Sequence, residues 1–295
     1  MTTNAHTDAP IRLISMPFHL GRTGEGLAAG PDAILRGIAG DHAVIDSIAT
    51  SRIPAVEDDS SEIACIFEIN RRLSREVASS LEAGSFPLVL SGNCSCCLGT
   101  VTGLRSPRPA VVWFDAHYDS NTADTTRSGF FDGMAGAVLT GHTFVGMAES
   151  IPGFRPVRDS DVIMAGVRDF EPHERDQLGE FPVTWILGDD LRAEGAAALD
   201  APLRELEPAD IYLHVDVDSI DAEEGRVNRY AAPGGPSLKQ LCESIEAVFA
   251  TGKVRSAAVT AYDPDSDPDG RGLNSATAVV RTITAAAGRS NERPG

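Results

Sequence analysis

Residues 111–119 read Val111-Val112-Trp113-Phe114-Asp115-Ala116-His117-Tyr118-Asp119. Four bulky apolar residues in a row suit a strand buried on both faces. Asp115, His117 and Asp119 then follow at alternate positions. In an extended chain alternate side chains point the same way, so the three converge just past the strand's end. Two carboxylates and an imidazole aimed at one point form a metal-ligand set. A polar strand end, with Asp115 capping a loop, is the other arrangement this stretch allows.

Working outward, apolar runs at 11–16, 43–48, 86–90, 110–114, 161–167, 183–187, 211–217 and 254–261 read as strands. Segments with helical periodicity separate them, among them 33–37, 61–83, 133–140, 171–178, 192–206, 237–249 and 273–287. The alternation predicts a three-layer α/β/α fold with a mostly parallel sheet of about eight strands. Ligands of such folds bind at the carboxyl ends of the strands. Cys94, Asp115, His117, Asp119, Glu171, Asp216, Asp218 and Asp263 all fall there. No Pro/Gly/Ser-rich break and no repeat divides the chain, so residues 11–288 are expected to form one domain, with residues 1–10 and 289–295 as flexible ends.

A formal net charge of −18 and a pI near 4.7 argue against a nucleic-acid or anionic-membrane partner. The first ten residues are polar and lack an apolar core, which does not match a signal peptide, and no apolar run reaches transmembrane length. Cys65, Cys94, Cys96, Cys97 and Cys242 are odd in number and unevenly spaced, as expected for free thiols in a reducing cytoplasm.

Leu213-His214-Val215-Asp216-Val217-Asp218 repeats the alternate-residue logic. Carboxylates gathered this densely repel one another unless cations offset them. Four carboxylates, one imidazole and one possible thiolate suit two divalent ions, and the oxygen and imidazole donors favour manganese over zinc. Two such ions roughly 3.5–4 Å apart can share a bridging water, which becomes a hydroxide able to attack an electrophilic carbon.

At this point the chain resembles the arginase/agmatinase (ureohydrolase) family. Asp115-Ala-His117-Tyr-Asp119 and Asp216-Val-Asp218 look like its two signature motifs, in the same order. Phe18 to Arg36 with Gly30-Pro31, Ser91 to Ser95, Gly166 to Asp169 and Tyr262-Asp263-Pro264 resemble further family segments. The resemblance implies that Asp115 and Asp216 bridge two Mn2+ ions. It assigns His117 and Asp218 to one ion and Asp119 to the other. It places Asn121, Thr126 and Ser128 at a substrate α-carboxylate and Glu171 near its α-amino group, the signature of a small guanidino amino acid. Turn residues with no ligand are the alternative for those three.

Three positions depart from the family pattern. Cys94 stands at the usual first histidine ligand, as a softer, negatively charged ligand or as a buried structural thiol. Asp132 stands where arginases carry a proton-shuttling histidine, and either replaces it or shapes its loop. Ala261 stands at the glutamate that anchors the guanidinium; Asp263, two residues on, is expected to point the same way and substitute, or else to belong to an acidic turn. Asp119, Asp132 and Asp263 are thus the candidate catalytic carboxylates. These departures resemble a bacterial branch typified by the Nω-hydroxy-L-arginine hydrolase of D-cycloserine biosynthesis. The implied activity is hydrolysis of arginine or an Nω-hydroxyarginine-like amino acid to ornithine and urea or hydroxyurea. A formimino- or ureido-acid hydrolase and a non-catalytic ligand-binding protein are the alternatives, and both a monomer and a homo-oligomer fit. His214 shares the strand face of Asp216 and is expected to pack behind the ligands; His173 is either a replacement acid/base or a surface residue.

Overall fold

The computed structural model describes residues 11–24, 26–41, 48–56, 61–170, 172–179, 182–206 and 210–291. Eight strands form one sheet: β1 Ile11–Met16, β2 Ile48–Arg52, β3 Phe86–Ser91, β4 Pro109–Phe114, β5 Val162–Val167, β6 Thr184–Leu187, β7 Asp210–Asp216 and β8 Val254–Thr260. Their order is β2-β1-β3-β8-β7-β4-β5-β6, and every pairing is parallel. The expected three-layer α/β/α arrangement is therefore present, with a fully parallel sheet. Parallel sheets need both faces covered. Val112, Phe114, Leu213 and Val215 pack into one core with helices α1 (Gly30–Ile38), α4 (Leu238–Ala250) and α5 (Arg271–Asn291). Val111, Trp113 and Tyr212 pack into the other, with α2 (Glu62–Glu82) and α3 (Cys96–Gly103).

Local chemistry sets the element ends. Ser61 caps α2 by accepting the Ala64 amide, and Ser237 and Gln240 form a reciprocal capping box on α4. Pro31 lies in the first turn of α1, where its missing N–H costs nothing. The described edge strand β2 begins at Ile48, where the strand expected at 43–48 ends; residues 42–47 lie outside the described set. It is half exposed and polar, so hydrophobic patterning could not register it. The single helix expected over 192–206 is broken at Gly195, whose φ of +58° ends Gly188–Glu194 and admits a 3₁₀ turn before Asp200–Glu205. Residues 289–291, expected to fray, continue α5. Among the described residues no helix is long and apolar enough to cross a membrane.

The topology places the carboxyl ends of β3, β8, β7 and β4 side by side. In register, Phe114 faces Val215, so one residue later two neighbouring strands each deliver an aspartate, Asp115 and Asp216. Asp216 in turn faces Thr260 on β8. The start of α1 is pressed against the chain just beyond β8: a Cβ at Gly30 would stand 2.1 Å from the Tyr262 carbonyl oxygen. Gly30→Ala is expected to cost about 1–3 kcal/mol by overpacking. It would appear as a lower urea midpoint with an unchanged slope; a midpoint equal to that of the unaltered protein would show that the two backbones can separate freely.

Candidate metal centre and substrate cavity

At this sheet edge lies a cavity of about 510 Å³. Its lining includes Cys94, His117, Asp119, Asp132, Asp216 and Asp218. Two groups of side chains have ligand atoms within 4.8 Å of one another, Cys94–Asp115–Asp119 and Asp115–His117–Asp218. Asp115 belongs to both. Either group offers enough donors to start a divalent-ion site, and a shared carboxylate suits a bridged pair.

The strand ends hold these groups by design of their backbones. Asp115 accepts the Trp113 indole N–H at 2.9 Å and the His117 amide at 2.8 Å. Asp216 accepts the Asp218 amide at 2.8 Å and lies 3.1 Å from the Cys94 sulfur. Asn228 donates from Nδ2 to Asp218 Oδ2 and to the Ala261 carbonyl, each at 2.9 Å. Arg168 donates to the carbonyls of Asp218, Ser219 and Ile220 at 3.0–3.1 Å, and to Gly166 at 2.9 Å, tying the turn after β7 to β5.

The electrostatics show what the cluster needs. Burial, and then the neighbouring carboxylates, push Asp119 and Asp216 well above the usual carboxylate range. Burial also raises Asp115, against hydrogen bonding from His117. Burial opposes charge on His117, yet Asp218 and Asp115, whose oxygens lie 3.4 and 3.3 Å from its Nδ1, hold its pKa well above the ordinary histidine value. Burial and Asp216 raise the Cys94 thiol. Stacked carboxylates, a high-pKa thiol and an imidazole drawn toward protonation are groups whose protons a divalent cation displaces. The donor set therefore fits metal ions.

The other expected residues divide. Asn121, Thr126 and Ser128 line the same cavity. Thr126 and Ser128 use their hydroxyls locally, accepting the amides of Gly129 at 3.1 Å and Phe130 at 3.2 Å. Glu171 lies outside the described residues. Asn121 instead donates to Glu174 Oε1 at 2.5 Å, and Glu174 is buried in the cavity wall. Asp132 accepts from Asn93 Nδ2 at 2.6 Å and from the Ser95 amide at 2.9 Å, so both its oxygens clamp the loop that carries Cys94. Burial pushes it up to about 6 against those bonds.

Asp263 corrects an expectation. Its carboxylate accepts the Asp265 amide at 3.0 Å and the Ser266 hydroxyl at 2.9 Å, capping its own turn, and it does not line the cavity. The cause is Ala261, whose φ of +64° breaks the strand alternation that would have aimed residue 263 inward. Ala261 itself lines the cavity, together with Phe130, Tyr230 and Arg229. Of the residues not anticipated, Glu174 lies in the six-residue helix Pro172–Gln177. Asn228 and Tyr230 lie in a loop with no motif. A second cavity of about 470 Å³ at the amino end of β4 is lined by Arg105, Arg108, Arg155 and Arg158, and its carboxylate, Asp161, is neutralised by Arg108.

A sequence profile of the arginase family matches residues 9–286. The chain belongs to the arginase family. It is a hydrolase acting on C–N bonds of linear amidines, in a metal-dependent family. The arginase of Bacillus subtilis (strain 168) is 25% identical over 290 residues, covering 94% of this chain and 98% of its own. A crystal structure of Bacillus subtilis arginase superposes with a TM-score of 0.83 at 25% identity, covering 93% and 98% of the two chains. The formimidoylglutamase of the same organism shares the fold, with a TM-score of 0.76 at 18% identity and coverage of 97% and 88%. Proclavaminate amidino hydrolase from Streptomyces clavuligerus does so at 0.72 and 18%, with coverage of 96% and 92%. Arginase-family membership thus accounts for the paired aspartate motifs and for the sheet edge at which they meet.

Behind the ligands lies His214, fully buried and pushed down to about 3 by desolvation, which outweighs the field of Asp218. The unfolded chain takes up a proton at His214 below about pH 6.5 while the folded chain does not. This contribution is therefore complete above pH 6.5 and is lost as the pH falls toward 3. In chelator, the unaltered protein should lose roughly 2 kcal/mol more stability between pH 7 and 5 than His214→Gln, read from urea midpoints. Parallel losses in the two proteins would show that His214 does not stay neutral inside.

Proposed function

We propose that this arginase-family hydrolase binds two Mn2+ ions and hydrolyses Nω-hydroxy-L-arginine, or a closely related guanidino amino acid, to L-ornithine and hydroxyurea. The observation that carries the reading is Asp115, fully buried and shared by two ligand groups whose other members, Cys94, Asp119, His117 and Asp218, line one cavity. Asp115, His117 and Asp218 would hold one ion and Asp115, Cys94 and Asp119 the other, with Asp216, 3.1 Å from the Cys94 sulfur, as a further carboxylate for the pair. When bound, the pair supplies Lewis acidity and a hydroxide nucleophile near neutral pH.

The chain's own residues do the rest. Asn121 and Glu174, hydrogen-bonded to each other, present an amide and a carboxylate to the α-carboxylate and α-amino groups of an amino acid. Thr126 and Ser128 border the carboxylate end. Phe130 and Tyr230, with ring centroids 5.9 Å apart, form an aromatic wall of the cavity. Asp119, which lines the cavity, would take a proton at its carboxylate from the attacking water. Asp132 has both oxygens engaged by Asn93 and Ser95, which favours a role as a clamp over one as a shuttle to the leaving amine. A substrate whose leaving group needs little protonation, such as a hydroxyguanidine, matches that deficit. Ala261 offers no carboxylate to a guanidinium, which also fits a formimino- or ureido-acid substrate as a second reading.

The deciding assay supplies Nω-hydroxy-L-arginine, L-arginine, agmatine and formiminoglutamate to Mn2+-loaded protein and identifies the products. Hydroxyurea and ornithine should form fastest, and Asp119→Asn should lower kcat by at least about 100-fold. Faster release of urea from arginine would overturn the substrate preference, formamide would establish the second reading, and two bound Mn2+ without any turnover would indicate a binding protein. Glu174→Gln should raise KM for the amino-acid substrate by roughly 10-fold with little change in kcat, the mark of lost uniform binding. An unchanged KM would remove Glu174 from substrate recognition.

A further inference from the structure

Three neutral side chains are strung together behind Cys94. The Tyr212 hydroxyl lies 2.7 Å from His214 Nδ1, His214 Nε2 lies 3.1 Å from Thr260 Oγ1, and Thr260 Oγ1 lies 3.3 Å from the Cys94 sulfur. Tyr212, His214 and Thr260 are wholly enclosed and Cys94 is 2% exposed. His214 lies flat on Trp113, with ring centroids 3.9 Å apart, and the Trp113 N–H is committed to Asp115. The imidazole is thus fixed in its plane by packing and along its edge by two hydroxyls. Neighbouring strands supply the string, in a register that sets Asp216 beside Thr260.

The direction of the string follows from proton inventory. Each hydroxyl carries one proton, and a neutral imidazole carries one donor and one acceptor nitrogen. Three bonds in series therefore all point toward Cys94 or all point away. Pointing away, the Tyr212 proton is sent toward a weak sulfur contact 4.0 Å off, at Cys96, and Cys94 must supply a proton at the other end. Pointing toward, Tyr212 donates to Nδ1, Nε2–H donates to Thr260, and Thr260 donates to sulfur, so the string asks no proton of the sulfur, whose S–H donates instead to Asp216 at 3.1 Å until a metal displaces that proton. Only this second direction suits a thiolate ligand.

We propose that Tyr212, His214 and Thr260 form a one-way donor chain ending on the Cys94 sulfur, and that Thr260 is the positioning residue that keeps this sulfur a metal-binding thiolate. The inference rests on the reading of Cys94 as a ligand. When Cys94 binds a metal, the S–H bond breaks, the metal–sulfur bond forms, and the proton leaves through the cavity that Cys94 lines; no other bond changes. A hydrogen bond to a thiolate favours the charged form and withdraws part of its electron density. It thereby offsets the extra negative charge that sulfur brings to a site already holding four carboxylates.

The test is a Co2+ titration of the full-length protein, following sulfur-to-cobalt charge-transfer absorption and measuring affinity by calorimetry. The unaltered protein should show the band and Cys94→Ser should not. Thr260→Val, nearly the same shape, should weaken binding by roughly 10-fold or more and move the band to lower energy, because the sulfur electrons lose a stabilising donor. Thr260→Ser, which keeps the hydroxyl, should restore both. Tyr212→Phe should move the band in the same direction, which keeps the proposal testable if Thr260→Val fails to fold. A normal band and affinity in Thr260→Val, or an unmoved band in Tyr212→Phe, overturns the donor chain while leaving Cys94 a ligand. Absence of the band from the unaltered protein removes Cys94 as a ligand and the chain with it.

Discussion

Like charge gathered inside a protein is the constraint around which this molecule is arranged. Asp115, Asp216 and Asp218 are buried at adjoining strand ends, and Asp119 brings its carboxylate within 4.8 Å of Asp115. Carboxylates so close cannot all ionise without compensation. Partial compensation is visible in the protein itself: His117 lies between Asp115 and Asp218, and indole, amide and Asn228 donors saturate individual oxygens. The donor set fits divalent cations for the remainder, so the energetic cost of the site and its capacity for metal are one property. The backbone must be stiff enough to keep the repelling groups in place, and Arg168, grasping successive carbonyls of the turn after β7, provides much of that stiffness.

Sheet topology converts this local problem into a site. Placing β8 and β7 between β3 and β4 brings four chain segments, widely separated in sequence, to one edge. Each contributes to the site: Cys94 after β3, the Asp115–His117–Asp119 run after β4, Asp216 at the end of β7 with Asp218 just beyond it, and Thr260 at the end of β8 with Ala261 just beyond it. The strands' buried apolar residues supply the driving force that pays for this arrangement, at about 25 cal/mol per Å² of apolar surface removed from water.

What could be read from the chain and what could not divide along physical lines. Central strands such as β4 and β7 are buried on both faces, so their apolar runs and the polar residues at their ends stand out; alternation points to that edge, but Asp119, at a φ of +43°, and Asp218, in the 3₁₀ turn Val217–Ser219, reach the cluster through turns. β2 sits at an edge with polar residues exposed, and its register depends on pairing with β1 rather than on its own pattern. Asp263 defeats alternation because one left-handed residue, Ala261, turns the chain before it. Asp132 gives no sign of its partners, because the bonds to Asn93 and Ser95 span nearly forty positions and exist only once the loops meet. Glu174 depended on a helix of only six residues, Pro172–Gln177, too short for periodicity to locate its inward face.

The three departures from the arginase pattern turn out to be neighbours. Asp132 clamps the loop that carries Cys94, Cys94 touches both Asp216 and Thr260, and Thr260 is followed at once by Ala261. A histidine at 94 would bring a neutral ring where a sulfur now sits against a hydroxyl, and a histidine at 132 could not accept two donors from residues 93 and 95. Each change makes sense given the others: the carboxylate at 132 organises the loop, the loop presents sulfur instead of imidazole, and the β8 exit supplies a hydroxyl to that sulfur. The departures are better understood as one rebuilt corner of the cavity than as separate losses.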